Sequence, residues 1–156
     1  MKRLVVEKGK IIQRKGELNS KVYQVVSGLL RSYYIDSKGK EHIFMFAPEG
    51  WYIADTVLPT EPCELYIDAV ENSEVIQGEK DPNSKQLDLP KLIRRIDTLQ
   101  KRVVMMMSEP AINRYEHFLN TYPEIVQRVP QKMIASYLGI TPEALSTIKR
   151  QHIPKK

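Results

Sequence analysis

One stretch near the end of the chain, residues 130–151, constrains the fold more than any other part of the sequence. Its first half has apolar residues at helical spacing, and Gly139 follows at a position that suits a left-handed helix end. Thr141 can cap a second helix, with Pro142 at its first helical position. The sequence therefore predicts two short helices joined by a tight turn, which is the arrangement of a helix-turn-helix.

The second of these helices carries polar side chains that suit contact with DNA, because in a helix-turn-helix this helix lies in the major groove. Glu143 can accept a hydrogen bond from a cytosine amino group, and Ser146 or Thr147 can bond a base or touch a thymine methyl. The predicted DNA-binding residues are Gln131, Thr141, Pro142, Glu143, Ser146, Thr147, Lys149 and Arg150. The alternative is a helical hairpin that only packs.

Positive charge is concentrated at the same end of the chain. Residues 1–87 carry 12 Lys and Arg against 13 Asp and Glu, whereas residues 112–156 carry 7 against 3. Most of the net charge of +5 therefore lies in the segment that contains the predicted helix-turn-helix, where it would attract a polyanion. A solvated basic surface is the alternative interpretation.

The first half of the chain reads as short β-strands separated by turn residues. Residues 36–39 form a good hairpin turn, and no helix-length pattern interrupts the strands. Turn signals at this spacing favour a sandwich or barrel-like roll. Strands are expected at residues 10–14, 22–26, 29–35, 41–47, 51–53, 65–70 and 74–77.

From Leu89 onward the period changes to that of a helix of about 20 residues. Apolar residues recur at steps of three and four, at Leu89, Leu92, Ile93, Ile96, Leu99, Val103 and Met106. This apolar stripe must pack either on the chain's own roll or on the same helix of a second chain. Pro110 stops the helix, and a further amphipathic helix is expected at residues 111–120.

The run from Ile134 to Ser146, I-A-x-x-L-G-I-T-x-E-x-L-S, resembles the recognition unit of the Crp/Fnr family of bacterial transcription regulators. The preceding Arg114-Tyr115…Leu119…Tyr122-Pro123-Glu124 is similar to the lead-in helix of a Bacteroidetes-like subgroup. The order of the strands and Gly-rich corners resembles the cyclic-nucleotide-binding β-roll of the same family, through Gly16-Glu17, Val22–Gly28, Tyr33-Tyr34, Gly39 and Gly50.

This resemblance implies an α+β chain. A double-stranded β-helix (a cupin-like jelly roll) would occupy residues 1–86, a dimerisation helix residues 87–109, and a helix-turn-helix domain residues 110–156, with a hinge at residues 81–84. It also implies a homodimer, double-stranded DNA with a palindromic operator as the partner, and an effector of unknown identity.

The implied effector pocket departs from the family pattern. The family's ribose-binding Gly-Glu pair falls on Ala54-Asp55, and its phosphate-binding Arg falls on or near Cys63. No Lys or Arg occurs between Lys40 and Lys80, so a phosphate would meet carboxylates without a counter-charge in that segment. Binding of cyclic AMP is therefore not expected. The effector-pocket candidates are Ala54, Asp55, Cys63, Glu64 and Arg102.

The predicted DNA-binding segment also departs from the family pattern. Family members continue from the recognition helix into a β-wing, whereas only residues 152–156 follow here, so the motif is expected to be minimal or its DNA contact weakened. Thr147 also stands where the family's base-reading Arg is found.

An enzyme is not expected, because the three His residues lie in unrelated segments and no nucleophile elbow or phosphate loop is present. With a single Cys and no clustered His, no metal or other cofactor is predicted. The absence of a membrane-spanning apolar run and of a secretory signal predicts a cytoplasmic protein with no membrane partner. The alternative function is a ligand-binding or scaffolding β-roll that has lost DNA binding.

Overall fold

The computed structural model describes residues 1–81 and 89–152. The chain divides into two compact units, residues 1–82 and 83–156, which we call the roll and the helical unit. Most of the predicted hinge at residues 81–84 lies outside the described residues, as do residues 153–156 and the side chains of Leu89 and Leu92.

In its described residues the roll has eight strands in two four-stranded antiparallel sheets, with the orders β1-β8-β3-β6 and β2-β7-β4-β5. The strands are β1 (Lys2–Val6), β2 (Ile11–Gln13), β3 (Lys21–Ser27), β4 (Leu30–Ile35), β5 (Glu41–Ala47), β6 (Tyr52–Ala54), β7 (Tyr66–Ala69) and β8 (Ser73–Glu79). This arrangement confirms the predicted α+β class with an N-terminal β-roll.

The core of the roll lies between the two sheets. Tyr23 and Val25 alternate with half-buried neighbours along β3, and they meet Ile53, Ile67 and Val75 from other strands, all at most 4% exposed. Full burial of a Val or Ile side chain stabilises the fold by about 1.5–3 kcal/mol. The alternation of buried and half-buried side chains along β3 therefore shows which face of the strand packs against the core.

The corner between β3 and β4 can be formed only by glycine. Gly28 has φ +88°, and a Cβ at this position would lie 2.4 Å from Ser73 Oγ. The same Ser73 hydroxyl accepts a hydrogen bond from the Leu29 N–H at 3.1 Å. The close approach of Gly28 thus holds β4 against the start of β8.

The first strand, β1, was missed by the sequence interpretation, which began the sheets at residue 10. It pairs with β8 from Lys2–Gln77 to Val6–Ser73 and forms one edge of its sheet. Only Val6 is buried, and Val5 is 78% exposed. Because an edge strand has little buried surface, its alternation is too weak to be recognised from sequence.

The helical unit contains four α-helices within its described residues. They are α1 (Leu89–Ser108), α2 (Ala111–Thr121), α3 (Gln131–Leu138) and α4 (Pro142–Gln151), with a single 3-10 turn at Ile125–Gln127 between α2 and α3. Phe118, Tyr122 and Tyr137 form an aromatic cluster with ring centroids 5.3 to 5.7 Å apart. Among the helices described, none has an apolar stretch that could cross a bilayer.

Candidate DNA-contacting surface and effector pocket

The turn between α3 and α4 is closed by a left-handed residue. Gly139 has φ +68°, its N–H donates to the Ser136 carbonyl at 3.2 Å, and the Ile140 N–H donates to the Ala135 carbonyl at 3.0 Å. This is the hydrogen-bond pattern of a Schellman helix end. The positive φ favours glycine here, and a Cβ at position 139 would lie 2.8 Å from Met106 Cε, so the end of that flexible side chain would also have to move.

Thr141 and Pro142 begin α4 as the sequence predicts. Thr141 Oγ1 accepts a hydrogen bond from the Ala144 N–H at 3.2 Å, and Pro142 follows as the first helical residue. Leu145 and Ile148 are buried. Their burial fixes the rotation of α4 and decides which of its sides faces solvent.

Seven of the eight predicted DNA-contacting side chains are exposed. These are Gln131, Thr141, Pro142, Glu143, Ser146, Thr147 and Arg150, whereas Lys149 is half-buried. Arg150 Nη2 donates to Thr147 Oγ1 at 3.4 Å, and Thr147 Oγ1 donates to the Glu143 carbonyl at 3.2 Å. In the described part of the chain, neither Lys149 nor Arg150 pairs with a carboxylate, so both charges are available to an anion.

The end of α3 is held by two arginines of neighbouring helices. Arg102 of α1 stacks over the Tyr137 ring, with its guanidinium carbon 4.1 Å from the ring centroid. Arg114 of α2 donates from Nη1 to the Leu138 carbonyl at 3.3 Å and from Nε to the Glu109 carbonyl at 3.0 Å. Arg102, an effector-pocket candidate in the sequence interpretation, therefore packs within the helical unit. The four other candidates belong to the roll.

Helix α1 exposes an apolar face. Its members, which we call the seam, are Ile93 (56% exposed), Ile96 (55%), Val103 (57%), Val104 (54%) and Met107 (81%). Leu99 and Met106, which the sequence assigned to the same stripe, are half-buried instead, and the neighbouring Met105 is 8% exposed. The apolar periodicity of α1 thus combines two faces, one packed inside the helical unit and one open.

Asp55 organises the loop at residues 55–65, which carries the implied effector pocket. It is 4% exposed, and its carboxylate accepts backbone N–H groups of Thr56 at 2.7 Å and of Glu64 and Leu65 at 2.8 Å each. The Gln13 side chain donates to the same carboxylate at 3.4 Å. Because these hydrogen bonds engage its carboxylate oxygens, Asp55 anchors the backbone of the loop.

Lys80, which the sequence interpretation treated only as a segment boundary, reaches the same loop. Its Nζ donates to Ser20 Oγ and to the carbonyl of Asp55, both at 2.7 Å, and to the carbonyl of Val57 at 2.8 Å. Desolvation lowers the pKa of the Lys80 amine, although the nearby Asp55 charge acts in the opposite direction. All three ammonium protons are used, and a phosphate could engage Lys80 only by displacing these bonds.

Cys63 is a buried thiol at the position that the resemblance assigns to a phosphate-binding arginine. It is 2% exposed, and burial raises the pKa of its thiol, with a further contribution from Asp55. Its backbone pairs with the corner after β2, through Cys63 N–H to the Glu17 carbonyl and Gly16 N–H to the Cys63 carbonyl, both at 2.8 Å. Ala54 is half-buried and Glu64 is exposed. This group presents no cation.

Arg31 of β4 is a charged residue that sequence reasoning missed. It is 7% exposed and donates from Nε and Nη2 to Asp68 at 2.8 and 2.9 Å, and from Nη1 to Glu41 at 2.7 Å. Its guanidinium also lies 4.2 Å from the Tyr33 ring centroid. Desolvation opposes the charge, but the bonds to Asp68 and Glu41 prevail and raise the pKa of Arg31. Because Asp68 and Glu41 pair with the guanidinium, the positive charge of Arg31 is not available to a ligand phosphate.

Comparison with known proteins agrees with the β-roll architecture. Residues 3–86 match the family model for the cyclic nucleotide-binding domain. No curated protein matches the chain. Several solved structures are similar over nearly its whole length.

FixK2 from Bradyrhizobium japonicum has a TM-score of 0.74 at 21% identity, over 96% of this chain and 83% of that one. A transcriptional regulator of the CRP/FNR family from Thermus thermophilus has a TM-score of 0.77 at 15% identity, over 99% and 89%. The c-di-GMP responsive global regulator CLP of Xanthomonas campestris has a TM-score of 0.65 at 14% identity, over 96% and 85%. At these identities the similarity shows the fold.

Proposed function

The chain belongs to the cyclic nucleotide-binding domain family, and on this premise we propose that it is a dimeric, DNA-binding transcription regulator of the Crp/Fnr type. The observation that carries the proposal is α4. This helix is capped by Thr141, fixed in rotation by Leu145 and Ile148, and left with an exposed polar surface and two cations without carboxylate partners among the described residues. It is the second helix of a helix-turn-helix, and it enters the major groove.

Residues of α4 divide into two roles in this proposal. Glu143, Ser146 and Thr147 project from the first two turns toward base edges, where they can discriminate between base pairs. Lys149 and Arg150 lie one turn further on and meet phosphates, which sets affinity without sequence preference. Thr141 and Pro142 fix the start of the helix, and Gln131 at the start of α3 is a further phosphate contact.

The proposed dimer uses the seam of α1. Its five exposed apolar side chains lie on one side of α1, with Gln100 between Ile96 and Val103, and a second copy of the same helix is apolar at the same positions. Such a dimer presents two copies of α4 to successive major grooves, about 34 Å apart, which calls for a palindromic operator. A regulator of this kind acts in the cytoplasm.

In this proposal the roll does not respond to cyclic AMP. Asp55 is occupied by backbone N–H groups, Lys80 by carbonyls and a hydroxyl, and Arg31 by Asp68 and Glu41. Cys63 supplies a buried neutral thiol where an arginine would be needed. These contacts support a roll with another effector or none.

The test is selection of bound duplexes from a random DNA pool, followed by titration of selected and scrambled duplexes at several salt concentrations. Glu143→Ala should relax discrimination at one base pair per half-site by roughly 1–3 kcal/mol. Arg150→Ala should weaken all duplexes alike and lower the salt slope by about 1 for each phosphate that a subunit no longer neutralises. Lys38→Ala, a cation in the exposed β4–β5 turn, is the matched control and should change neither quantity. If no duplex is enriched, or if both α4 variants bind as the parent does, the scaffolding alternative is favoured.

A further inference from the structure

One polar side chain lies at the centre of the seam of α1. Steps of three, four, three and four residues connect Ile93, Ile96, Gln100, Val103 and Met107. This spacing places all five residues on one side of the helix. It is also the heptad repeat of a helix that packs against a second helix in a coiled coil. Gln100 therefore occupies a position of the repeat that is apolar in its other members.

The amide of Gln100 is available to a partner. Gln100 is exposed in the single chain, and its side chain has no hydrogen-bond partner among the residues that the structure describes. An amide has an oxygen that accepts and an NH2 group that donates, so two copies of Gln100 can hydrogen-bond to each other reciprocally. Asp97 and Lys101, which border the seam, form an ion pair at 2.8 Å within the helix. A second copy of α1 thus meets charges that are already paired and an amide that needs a partner.

The position of Gln100 separates the ways in which two copies of α1 can pair. In a parallel pair without a shift, each layer contains the same residue from both copies, so Gln100 meets Gln100. In a parallel pair shifted by one heptad, it meets Ile93 or Met107. In an antiparallel pair, positions 93, 100 and 107 face positions 96 and 103, so Gln100 meets Ile96 or Val103. Only the first arrangement pairs the amide, and burial of an unpaired polar group is unfavourable.

We propose that Gln100 selects the parallel, unshifted arrangement of the dimer by hydrogen-bonding to its counterpart on the second copy. This inference rests on the proposed dimer and identifies the residue that determines its geometry. A single polar residue in an apolar coiled-coil seam has this effect at a cost in dimer stability.

The arrangement of α1 decides whether two copies of α4 can reach one duplex. Helix α1 has 20 residues and is therefore about 30 Å long. Arg102 stacks on Tyr137, which holds the pair of α3 and α4 at the C-terminal half of α1. A parallel dimer brings both copies of this pair to the same end of the two α1 helices, whereas an antiparallel dimer places them at opposite ends. By selecting the parallel form, Gln100 acts as a positioning residue for DNA binding.

Cross-linking of the full chain measures the orientation of the two helices. Ile93→Cys and Met107→Cys are prepared separately in a Cys63→Ala background, allowed to exchange subunits, and treated with a short bismaleimide. The 14 residues between the two positions span roughly 21 Å of helix, which this reagent does not bridge. The parent should give links between two copies of position 93 and between two copies of position 107. Gln100→Leu should raise the yield of the mixed link between positions 93 and 107 by roughly tenfold.

Dimer strength and DNA affinity should change in opposite directions in the same variant. Gln100→Leu should lower the dissociation constant of the dimer by roughly tenfold in analytical ultracentrifugation, because it removes the cost of burying an amide. Its affinity for the selected palindromic duplex should fall in proportion to the fraction of mixed links. Gln100→Asn keeps an amide and should behave as the parent does. Thr98→Leu is the matched control, since Thr98 is exposed on the opposite side of α1, and it should change neither quantity.

The outcomes distinguish this inference from the proposed dimer. A monomeric parent would refute both. If the parent is a dimer that forms mixed links, or if Gln100→Leu gives the same links and DNA affinity as the parent, the dimer stands and the role of Gln100 is refuted. Circular dichroism identifies a variant that has not folded, and Gln100→Met is a second apolar variant for the same comparison.

Discussion

Tyr23 is a buried phenol whose proton contributes to the stability of the roll at alkaline pH. It is 4% exposed, and its hydroxyl donates to the Ile12 carbonyl, a bond that exists only while the phenol is protonated. Burial, with contributions from the nearby Cys63, Glu17 and Glu79, raises the pKa of Tyr23 from 10.0 to about 12. The unfolded chain therefore releases this proton at a lower pH than the folded chain.

The first prediction is that Tyr23→Phe flattens the alkaline part of the stability profile. The stabilising contribution of the Tyr23 proton is fully present below pH 10 and is lost as the pH rises from 10 toward about 12. The loss approaches roughly 2 kcal/mol at the upper end. Urea unfolding at a series of pH values, monitored by the fluorescence of the single tryptophan, Trp51, measures the difference between the two proteins. Lys80 and Tyr33, whose pKa values are also shifted, are present in both proteins, so their contributions cancel. Parallel profiles would contradict the assignment.

The second prediction concerns Asp55 as the anchor of the 55–65 loop. Asp55→Ala removes the acceptor of three backbone N–H groups and should lower the free energy of unfolding by about 2–3 kcal/mol. Glu61→Ala is the matched control, because Glu61 lies in the same loop, is exposed and, among the described residues, accepts only the Leu58 N–H, at 2.9 Å. Its cost should stay below about 1 kcal/mol. Equal costs for the two variants would mean that Asp55 is not the anchor.

At the scale of elements, the helical pair was predictable because its signals are local. The cap at Thr141, the proline at the first helical position and the glycine at the helix end lie within four residues of one another. The 55–65 loop was not predictable, since Asp55 and Lys80 are 25 residues apart and their contact exists only in the folded roll. The sequence identifies an acidic residue at position 55, but it does not show that backbone N–H groups donate to its carboxylate.

The two faces of α1 illustrate the same limit within a single helix. Periodicity identified an apolar stripe, but it could not separate Leu99 and Met106, which are half-buried, from Val104 and Met107, which are exposed. At 3.6 residues per turn both pairs lie close to the stripe. Tertiary packing decides between them, and the stacking of Arg102 on Tyr137 of α3 shows which side of α1 meets the rest of the helical unit.

The third prediction tests the seam. Ile96→Glu combined with Val103→Glu would bury like charges across the two-fold axis of the proposed dimer, so light scattering at micromolar concentration should show a monomer where the parent is a dimer. Thr98→Glu is the control, since Thr98 is exposed and roughly opposite the seam, and it should remain dimeric. A parent protein that is already monomeric at this concentration would refute the seam as an interface.

At the scale of the whole molecule, the fourth prediction is that cyclic AMP neither binds nor changes DNA affinity. Arg31, whose partners are on β5 and β7, and Lys80, bound to carbonyls, are both committed to structure. Calorimetry should show no heat with cyclic AMP at physiological concentration. Cys63→Arg is a further variant. If the absence of an arginine at position 63 alone explains the lack of binding, this variant should bind cyclic AMP. Because Asp55 is also occupied, we expect that it will not.

The last prediction joins dimerisation to DNA geometry. Two copies of α4 held by a rigid dimer helix can reach only half-sites about one helical turn apart, roughly 10 to 10.5 base pairs centre to centre, or a multiple of it. Inserting about five base pairs between the selected half-sites turns them to opposite faces of the duplex. Affinity should then fall by roughly 100-fold or more, toward that of one half-site, because the second subunit no longer benefits from being tethered.

The seam variants make this spacing test specific. The Ile96→Glu, Val103→Glu protein should bind the original and the lengthened duplex equally weakly, since a monomer reads one half-site whatever the spacing. Thr98→Glu should keep the full dependence of the parent. Titration by fluorescence anisotropy at fixed salt gives all the affinities needed. If the parent itself binds both duplexes equally, α4 is not presented in pairs, and the link from the exposed face of α1 to a palindromic operator is broken even though each helix retains its own geometry.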